Sequence, residues 1–188
     1  RSARAPRPEY AVSSIQIDPQ MTMEAIMAVA PAAQRALFQR YHVGGCSACG
    51  FQPTDTLAQV CKDHNILDVN EVIETIRRAE ELDGKVQVEP AEVKRWLDED
   101  GDFTFVDVRM PEELEQARVE AAEPLDYANQ ARYMELPKDR LIVFLCKDGD
   151  RSLNVASYFI GHGFTGVHAV RGGLLAWSRE VDPSVPAD

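Results

Sequence analysis

The chain has little of several features that mark specialised classes of protein. No apolar run approaches the ~20 residues that a bilayer-spanning helix needs, so no membrane span is expected. Basic residues are in the minority, because 20 Lys and Arg face 31 Asp and Glu, for a formal net charge of −11. Nucleic acid and anionic membrane surfaces both require a basic face, so neither is expected as a partner.

Cysteine is also scarce, with four residues in a chain of 188: Cys46, Cys49, Cys61 and Cys146. That is too few for a chain of this length to be a disulfide-stapled mini-domain. One close pair and two isolated thiols favour a reducing compartment, with the cytoplasm as the default location. We expect reactive thiols and no bound cofactor.

Hydrophobic residues in the first half recur at helical spacing after three candidate N-caps, Thr22, Thr56 and Asp68. The pattern predicts an all-helical unit over residues 17–77, preceded by an extended lead-in over 1–16 and followed by a charged linker over 78–85. On the second helix, Leu37, Phe38 and Tyr41 are expected to share one buried side.

The second half, residues 86–188, alternates between short strands and helices. Its clearest strand is the continuous apolar run 141–145, which is typical of a strand buried in a parallel sheet. Alternation of this kind predicts an α/β fold with helices on both faces of the sheet. The remaining strands are expected near 86–88, 103–108 and 167–170, with helices near 90–97, 111–116, 152–160 and 174–179.

A short loop follows the apolar run, at the sheet edge where α/β proteins bind ligands. Cys146 begins this loop and a helix is predicted to start near Ser152, so backbone N–H groups and the helix N-terminus converge on the sulfur. A thiolate stabilised there and accessible to solvent could attack a sulfane sulfur and carry it as a persulfide. Arg151 could orient an anionic sulfur donor or brace the loop. The other loop residues are predicted to bind substrate: Lys147, Asp148, Gly149, Asp150 and Ser152.

These residues resemble the rhodanese family, whose single-domain members carry a Cys-x-x-Gly-x-Arg-Ser/Thr loop. The segments 105–114, 163–167 and 171–177 are similar to the family's strand-to-helix signature, its last strand and its double-Gly turn with closing helix. The resemblance implies a five-stranded, mostly parallel sheet and a thiosulfate sulfurtransferase-like enzyme with Cys146 and Arg151 as catalytic residues. Related dual-specificity phosphatases have five residues between Cys and Arg, whereas this chain has four, so phosphatase activity is disfavoured.

The chain departs from the family pattern in two places. The family usually has Gly-His-Ile-x-Gly-Ala where this chain has Ala117-Arg-Val-Glu-Ala-Ala122. The loop also contains Asp148 and Asp150, which balance Lys147 and Arg151. A neutral loop in a segment with 12 Lys and Arg against 20 Asp and Glu, residues 84–188, predicts weak attraction for thiosulfate and a preference for a persulfide donor.

A second cysteine motif, Cys46-Ser-Ala-Cys49, follows Gly44-Gly45 in the helical half. Two cysteines at this spacing can form a disulfide, relay sulfur or bind metal, and Cys61 with His64 would complete a metal site. Core packing is the better interpretation of Cys61 and His64, so no metal is expected. Residues 17–76 resemble the redox-disulfide domain associated with hybrid cluster proteins, which implies a redox role for Cys46 and Cys49.

The sequence therefore predicts a sulfurtransferase in which Cys146 takes sulfane sulfur from a small-molecule or protein donor and passes it to a thiol acceptor, with a relay to Cys46 and Cys49 as an extension. Two alternatives stay open. The fold could serve as a low-turnover binding module for redox or cluster-assembly partners, or the helical half could be a metal or cluster sensor supplied with sulfur by the other half.

Overall fold

The structure, a computed structural model, describes residues 15–44, 50–128 and 130–186. It divides the chain into two compact units, with the boundary between Lys85 and Val86. Within the described ranges, no helix is long and apolar enough to cross a membrane.

Four helices make up the first unit: α1 (Met23–Val29), α2 (Ala33–Tyr41), α3 (Leu57–Asp63) and α4 (Val69–Val86). The three predicted N-caps are confirmed, because the side chains of Thr22, Thr56 and Asp68 each accept a backbone N–H of the first helical turn. Thr22 and Thr56 also form an antiparallel bridge, which fixes the starts of α1 and α3 together. Helix α4 continues through residues 78–85, the segment that the sequence indicates as a linker.

The core of the helical unit is built from one apolar side of each helix. Cys61 is 3% exposed within it, as predicted, and burial raises the pKa of its thiol. His64 is instead the half-buried C-cap of α3, so its assignment to the core is wrong. Phe38 was also expected inside but is 48% exposed, because it follows the fully buried Leu37 and points about 100° away around the helix.

The second unit contains five strands, in the order β1-β5-β4-β2-β3, and every neighbouring pair is parallel. The strands are β1 (Gln87–Val88), β2 (Thr104–Asp107), β3 (Glu123–Pro124), β4 (Ile142–Leu145) and β5 (Val167–Val170). The predicted five-stranded parallel sheet is confirmed. The two-residue edge strand β3 was not predicted, because Glu123 and Pro124 show no apolar alternation.

Helices α5 (Pro90–Asp98), α6 (Pro111–Gln116), α7 (Ala131–Met134), α8 (Asp150–Gly161) and α9 (Gly173–Glu180) complete this unit. Apolar clusters lie on both faces of the sheet. Side chains of β4 alternate between them, with Phe144 in one cluster and Val143 and Leu145 in the other. Cys146 continues this alternation and belongs to the same cluster as Phe144.

His168 on β5 is a partly buried titratable group of this unit. Its Nδ1 lies 3.2 Å from the carbonyl oxygen of Val86, and its ring packs edge-on against Trp96. Burial lowers the pKa of His168, because desolvation disfavours the imidazolium, and the hydrogen bond to Val86 only partly opposes this.

We expect this unit to lose stability as the pH falls below about 6.5, the ordinary value for histidine. A pKa lowered on folding means that the contribution is complete above the unfolded-state pKa and is lost as the pH falls through the folded-state pKa. His168→Asn, which keeps an N–H donor, should flatten the dependence of the unfolding free energy on pH between 7.5 and 5 in urea titrations. The exposed His162→Asn is the matched control, and an equal flattening by both variants would contradict the assignment.

Candidate active site

Cys146 follows β4 directly and its sulfur is surrounded by the loop that joins β4 to α8. The backbone N–H groups of Gly149 and Ser152 donate to Cys146 Sγ, with N to S distances of 3.1 and 3.3 Å. Gly149 has φ +102°, a left-handed conformation that glycine adopts without strain, and it is the N-cap of α8. The sulfur thus lies at the N-terminus of a 12-residue helix, where backbone donors and the helix dipole favour negative charge.

The first turn of α9 forms hydrogen bonds with the backbone of this loop. The N–H of Leu174 donates to the carbonyl of Cys146 at 2.8 Å, and the N–H of Leu175 to the carbonyl of Lys147 at 3.0 Å. Gly173, with φ +57°, permits this approach, because a Cβ there would lie 2.3 Å from the oxygen of Cys146. Loop carbonyls are therefore drawn toward α9, while the amides of Gly149 and Ser152 face the sulfur.

Cys146 is only 1% exposed. The expectation that its thiol is accessible to solvent is therefore wrong for this conformation. The sulfur lies at the floor of the loop, where Ser152 Oγ is 3.4 Å away. Ser152 is itself fully buried, and its hydroxyl also donates to the carbonyl of Gly149 at 2.8 Å. Only a slender group could reach the sulfur without movement of the loop.

A carboxylate lies beside the sulfur. Oδ1 of Asp148 is 3.7 Å from Cys146 Sγ and accepts the backbone N–H of Asp150 at 3.1 Å. This hydrogen bond fixes the Asp148 side chain over the start of α8, so its negative charge is a built part of the loop. Lys147 is exposed, and its ammonium forms no ion pair with any residue that the structure describes.

Arg151 is bound by groups on other segments around the loop. Its guanidinium donates to Glu113 Oε2 at 2.8 Å and to the carbonyl of Val108 at 3.3 Å, and Tyr127 donates to the same carbonyl at 3.0 Å. The pKa of Glu113 is held below its ordinary value, first by the N–H of Met110 and then by Arg151. Of the two roles that the sequence offers for Arg151, these contacts are those of a brace between loop and α6.

Asp107 and Arg109 form a buried pair at the end of β2, with side chains 1% and 4% exposed and Nη2 to Oδ2 at 2.8 Å. Arg109 also donates to the carbonyl of Ala117 at 2.7 Å. Its hydrogen bonds thus join the strand end to the chain after α6. This supports a structural role for the pair, because a buried guanidinium needs every donor satisfied.

The departure over residues 117–122 has a simple structural outcome. Neither Ala117 nor Ala121 has a positive φ, so the backbone here does not need the missing glycines. Val119 and Ala122 are buried in the core beneath α9. Arg118, which stands where histidine is usual, is exposed and pairs with Glu120 at 3.0 Å.

Comparison with known proteins agrees with this geometry. Residues 89–180 match the family described as the rhodanese-like domain. Over 98 residues the chain is 34% identical to the putative sulfurtransferase YtwF of Bacillus subtilis, covering 52% of this chain and 94% of that protein. The chain belongs to the rhodanese-like family.

Two further relatives of this rhodanese-like chain carry names that state an activity. A sulfurtransferase of Allochromatium vinosum is 32% identical over 100 residues, or 53% of this chain and 94% of that protein. The thiosulfate sulfurtransferase GlpE of Pseudoalteromonas translucida is 33% identical over 85 residues, or 45% of this chain and 81% of that protein. These relatives support sulfur transfer as the general activity.

The rhodanese-like match begins at residue 89 and lends no support to the resemblance of residues 17–76 to a redox-disulfide domain. Cys46 and Cys49 lie outside the described residues. Among the residues that are described, no group of three or more His, Cys, Asp and Glu side chains could hold a metal ion.

Of the loop residues named from the sequence, Asp148, Gly149 and Ser152 contact the sulfur of Cys146. Three neighbours of the loop were not named as site residues from the sequence. In the sequence, Glu113 belongs only to the strand-to-helix segment 105–114. The role of its carboxylate depends on the direction of the Arg151 side chain, which the sequence does not show. Gln116 at the end of α6 and Tyr127 on an irregular segment give no periodic signal. Their closeness to the loop arises from the parallel sheet, which brings distant chain segments to one edge.

We expect Gly173→Ala to displace the loop, because its Cβ would overlap the oxygen of Cys146 and because φ is positive there. Unfolding in urea should show a loss of about 2 kcal/mol or more, and sulfur loading of Cys146 should fall with it. Gly161→Ala in α8 is the matched control, since its Cβ would meet nothing within 4 Å. That variant should be neutral or slightly stabilising. A similar loss of stability in Gly173→Ala and Gly161→Ala would contradict the proposed contact between Gly173 and the loop.

Proposed function

We propose that this protein is a sulfurtransferase that carries sulfane sulfur as a persulfide on Cys146. The observation that carries the proposal is the pair of backbone N–H groups, from Gly149 and Ser152, that donate to the sulfur at the start of α8. Such donors stabilise a sulfur anion both before and after a sulfur atom is added. Sulfurtransferase-named relatives support the same reaction class.

The reaction consists of two displacements at sulfur. The Cys146 thiolate attacks the outer sulfur of the donor, forming one S–S bond and breaking another, and the donor's thiolate leaves with the electron pair and takes up a proton. An acceptor thiolate then attacks the outer sulfur of the Cys146 persulfide, and the Cys146 thiolate leaves. Neither step changes the net oxidation state or needs a metal.

The charge beside the sulfur favours a persulfide over thiosulfate as donor. Thiosulfate carries its sulfonate one bond from the sulfur to be transferred, and that anion would approach the carboxylate of Asp148, 3.7 Å from Sγ. We propose that thiosulfate is a poor donor.

A relay to the second cysteine motif is an extension of this proposal, motivated by a thiol pair on the same chain as the persulfide-forming thiol. One thiol of Cys46 and Cys49 accepts the outer sulfur from Cys146, and the other attacks that persulfide. The products are a Cys46–Cys49 disulfide and hydrogen sulfide, and the two electrons come from the thiol pair. The same chemistry requires a reducing compartment between turnovers, and we propose the cytoplasm.

Intact mass spectrometry of the reduced protein, after incubation with a persulfide donor or thiosulfate, tests the sulfur carrier. We expect the wild type to gain one sulfur atom from the persulfide and much less from thiosulfate. Cys146→Ala should abolish the gain, whereas Cys61→Ala, which removes a buried thiol of the helical unit, should retain it. No gain from either donor would favour the alternative that the protein is a low-turnover binding module.

The relay is tested by single-turnover release of sulfide from protein loaded at Cys146. A Cys46→Ser/Cys49→Ser variant should load normally and release sulfide more slowly than the wild type in the absence of added thiol. Release at the wild-type rate would show that the relay is wrong while leaving Cys146 as the carrier.

A further inference from the structure

Two kinds of polar group contact Cys146 Sγ. The backbone N–H groups of Gly149 and Ser152 donate to it, at N to S distances of 3.1 and 3.3 Å. Two oxygen atoms also approach it, the hydroxyl of Ser152 at 3.4 Å and Oδ1 of Asp148 at 3.7 Å. The N–H groups favour negative charge on Sγ itself. The carboxylate of Asp148 disfavours further negative charge beside it.

The loop backbone holds the carboxylate of Asp148 in this position. Its Oδ1 accepts the N–H of Asp150, the first residue of α8, at 3.1 Å. Within the described residues, no Lys, Arg or His side chain forms an ion pair with Asp148. Its negative charge is therefore not neutralised by a neighbour and acts on the sulfur beside it.

The other ionisable groups around the loop do not offset this carboxylate. Arg151 is a cation whose charge interacts with Cys146, but its guanidinium is paired with Glu113 at 2.8 Å. The remaining ionisable side chains near the loop are exposed, paired with each other or bound to a backbone carbonyl: Lys147, Asp150, Asp107 with Arg109, and Tyr127. Asp148 is thus the charge that decides the protonation of a sulfur added to Cys146.

The protonation of a persulfide decides how it reacts. The ionised form, S–S⁻, is itself a nucleophile, and its charge repels an incoming thiolate. The neutral form, S–SH, is attacked by a thiolate at its outer sulfur. An outer sulfur lies about 2 Å from Sγ, and therefore no more than about 6 Å from Oδ1 of Asp148. At this distance a carboxylate disfavours ionisation of the outer sulfur.

We infer that Asp148 is a further catalytic residue of the second displacement, because its carboxylate keeps the persulfide on Cys146 in the neutral form that gives up its outer sulfur. The inference rests on the proposed function. The charge of Asp148 acts on the outer sulfur, whereas the N–H groups of Gly149 and Ser152 act on Sγ. Together they make the outer sulfur open to attack and Sγ a good leaving group.

The step is balanced without a further reactant. The acceptor thiolate attacks the outer sulfur of the Cys146 persulfide and forms the new S–S bond. The bond between Sγ and the outer sulfur breaks, and Sγ leaves with the electron pair as a thiolate. The proton stays on the transferred sulfur, so the product is the neutral persulfide of the acceptor.

The test measures two opposite reactivities of the full chain after sulfur loading. Trimethylphosphine, an uncharged nucleophile, removes the outer sulfur of a neutral persulfide, and iodoacetamide, an uncharged electrophile, alkylates an ionised one. Both rates are followed by the mass of the peptide that contains Cys146. Cys46→Ser/Cys49→Ser is the background for every sample, so that the relay does not remove the sulfur.

The variant is Asp148→Asn, whose side-chain oxygen still accepts the N–H of Asp150. The matched control, Asp139→Asn, removes the same charge at an exposed position before β4, at the opposite end of that strand from Cys146. At pH 7 we expect Asp148→Asn to slow sulfur removal by trimethylphosphine about three- to fivefold and to speed alkylation by a similar factor, the scale of a like charge at a partly exposed site. Asp139→Asn should change neither rate.

Opposite changes in the two rates separate a change in protonation from a change in access, because a displaced or opened loop moves both rates in the same direction. Changes in the same direction, or none in either rate, would overturn the inference, while sulfur loading of Cys146 in the same samples would still support the proposed function. If the protein takes up no sulfur from a persulfide donor, the proposed function and the inference fail together.

Discussion

The candidate site depends on the contact between the first turn of α9 and the loop after β4. Two amides of that turn, from Leu174 and Leu175, take the carbonyls of Cys146 and Lys147, and Gly173 lets the two segments approach. Each peptide unit presents its C=O and N–H in opposite directions, so fixing the carbonyls on one side helps to turn the loop amides toward the sulfur. The chemistry at Cys146 is in this sense set by a helix more than twenty residues later in the chain.

A second set of contacts braces the other side of the loop. Arg151 joins α8 to Glu113 on α6 and to the carbonyl of Val108, and the buried pair of Asp107 and Arg109 holds the end of β2 beneath them. Each of these two guanidinium groups is paired with a carboxylate, so they contribute little to attracting an anionic substrate. The charges left to act on a substrate are those of Lys147 and Asp148, which have opposite signs and adjacent positions.

The sequence predicts the sheet well, because the run 141–145 and the alternation of strands and helices report burial on both faces directly. The loop and its nucleophile are also readable, since strand, cysteine, glycine and helix follow one another without a gap. Side-chain direction is not readable in the same way. Nothing in the order of residues shows that Arg151 turns to Glu113, that Asp148 turns to the sulfur, or that Cys146 is buried, because each depends on segments far apart in the chain.

Local pattern also fails where an element is short or a side chain sits at the margin of a helical stripe. The edge strand β3 has only Glu123 and Pro124, both exposed, and is defined by its pairing with β2. Phe38 follows the stripe of α2 closely enough to be placed inside, yet lies 48% exposed, because only the packing of the four helices decides where the stripe ends.

A crystal structure of the protein after loading with a persulfide donor tests the central claim most directly. We expect one additional sulfur atom bonded to Cys146 Sγ. The amides of Gly149 and Ser152 should still donate into the site, and the carbonyls of Cys146 and Lys147 should still accept the N–H groups of α9. An unmodified Cys146 with the added sulfur on Cys46, Cys49 or Cys61, or a loop whose amides turn away from the persulfide, would contradict it.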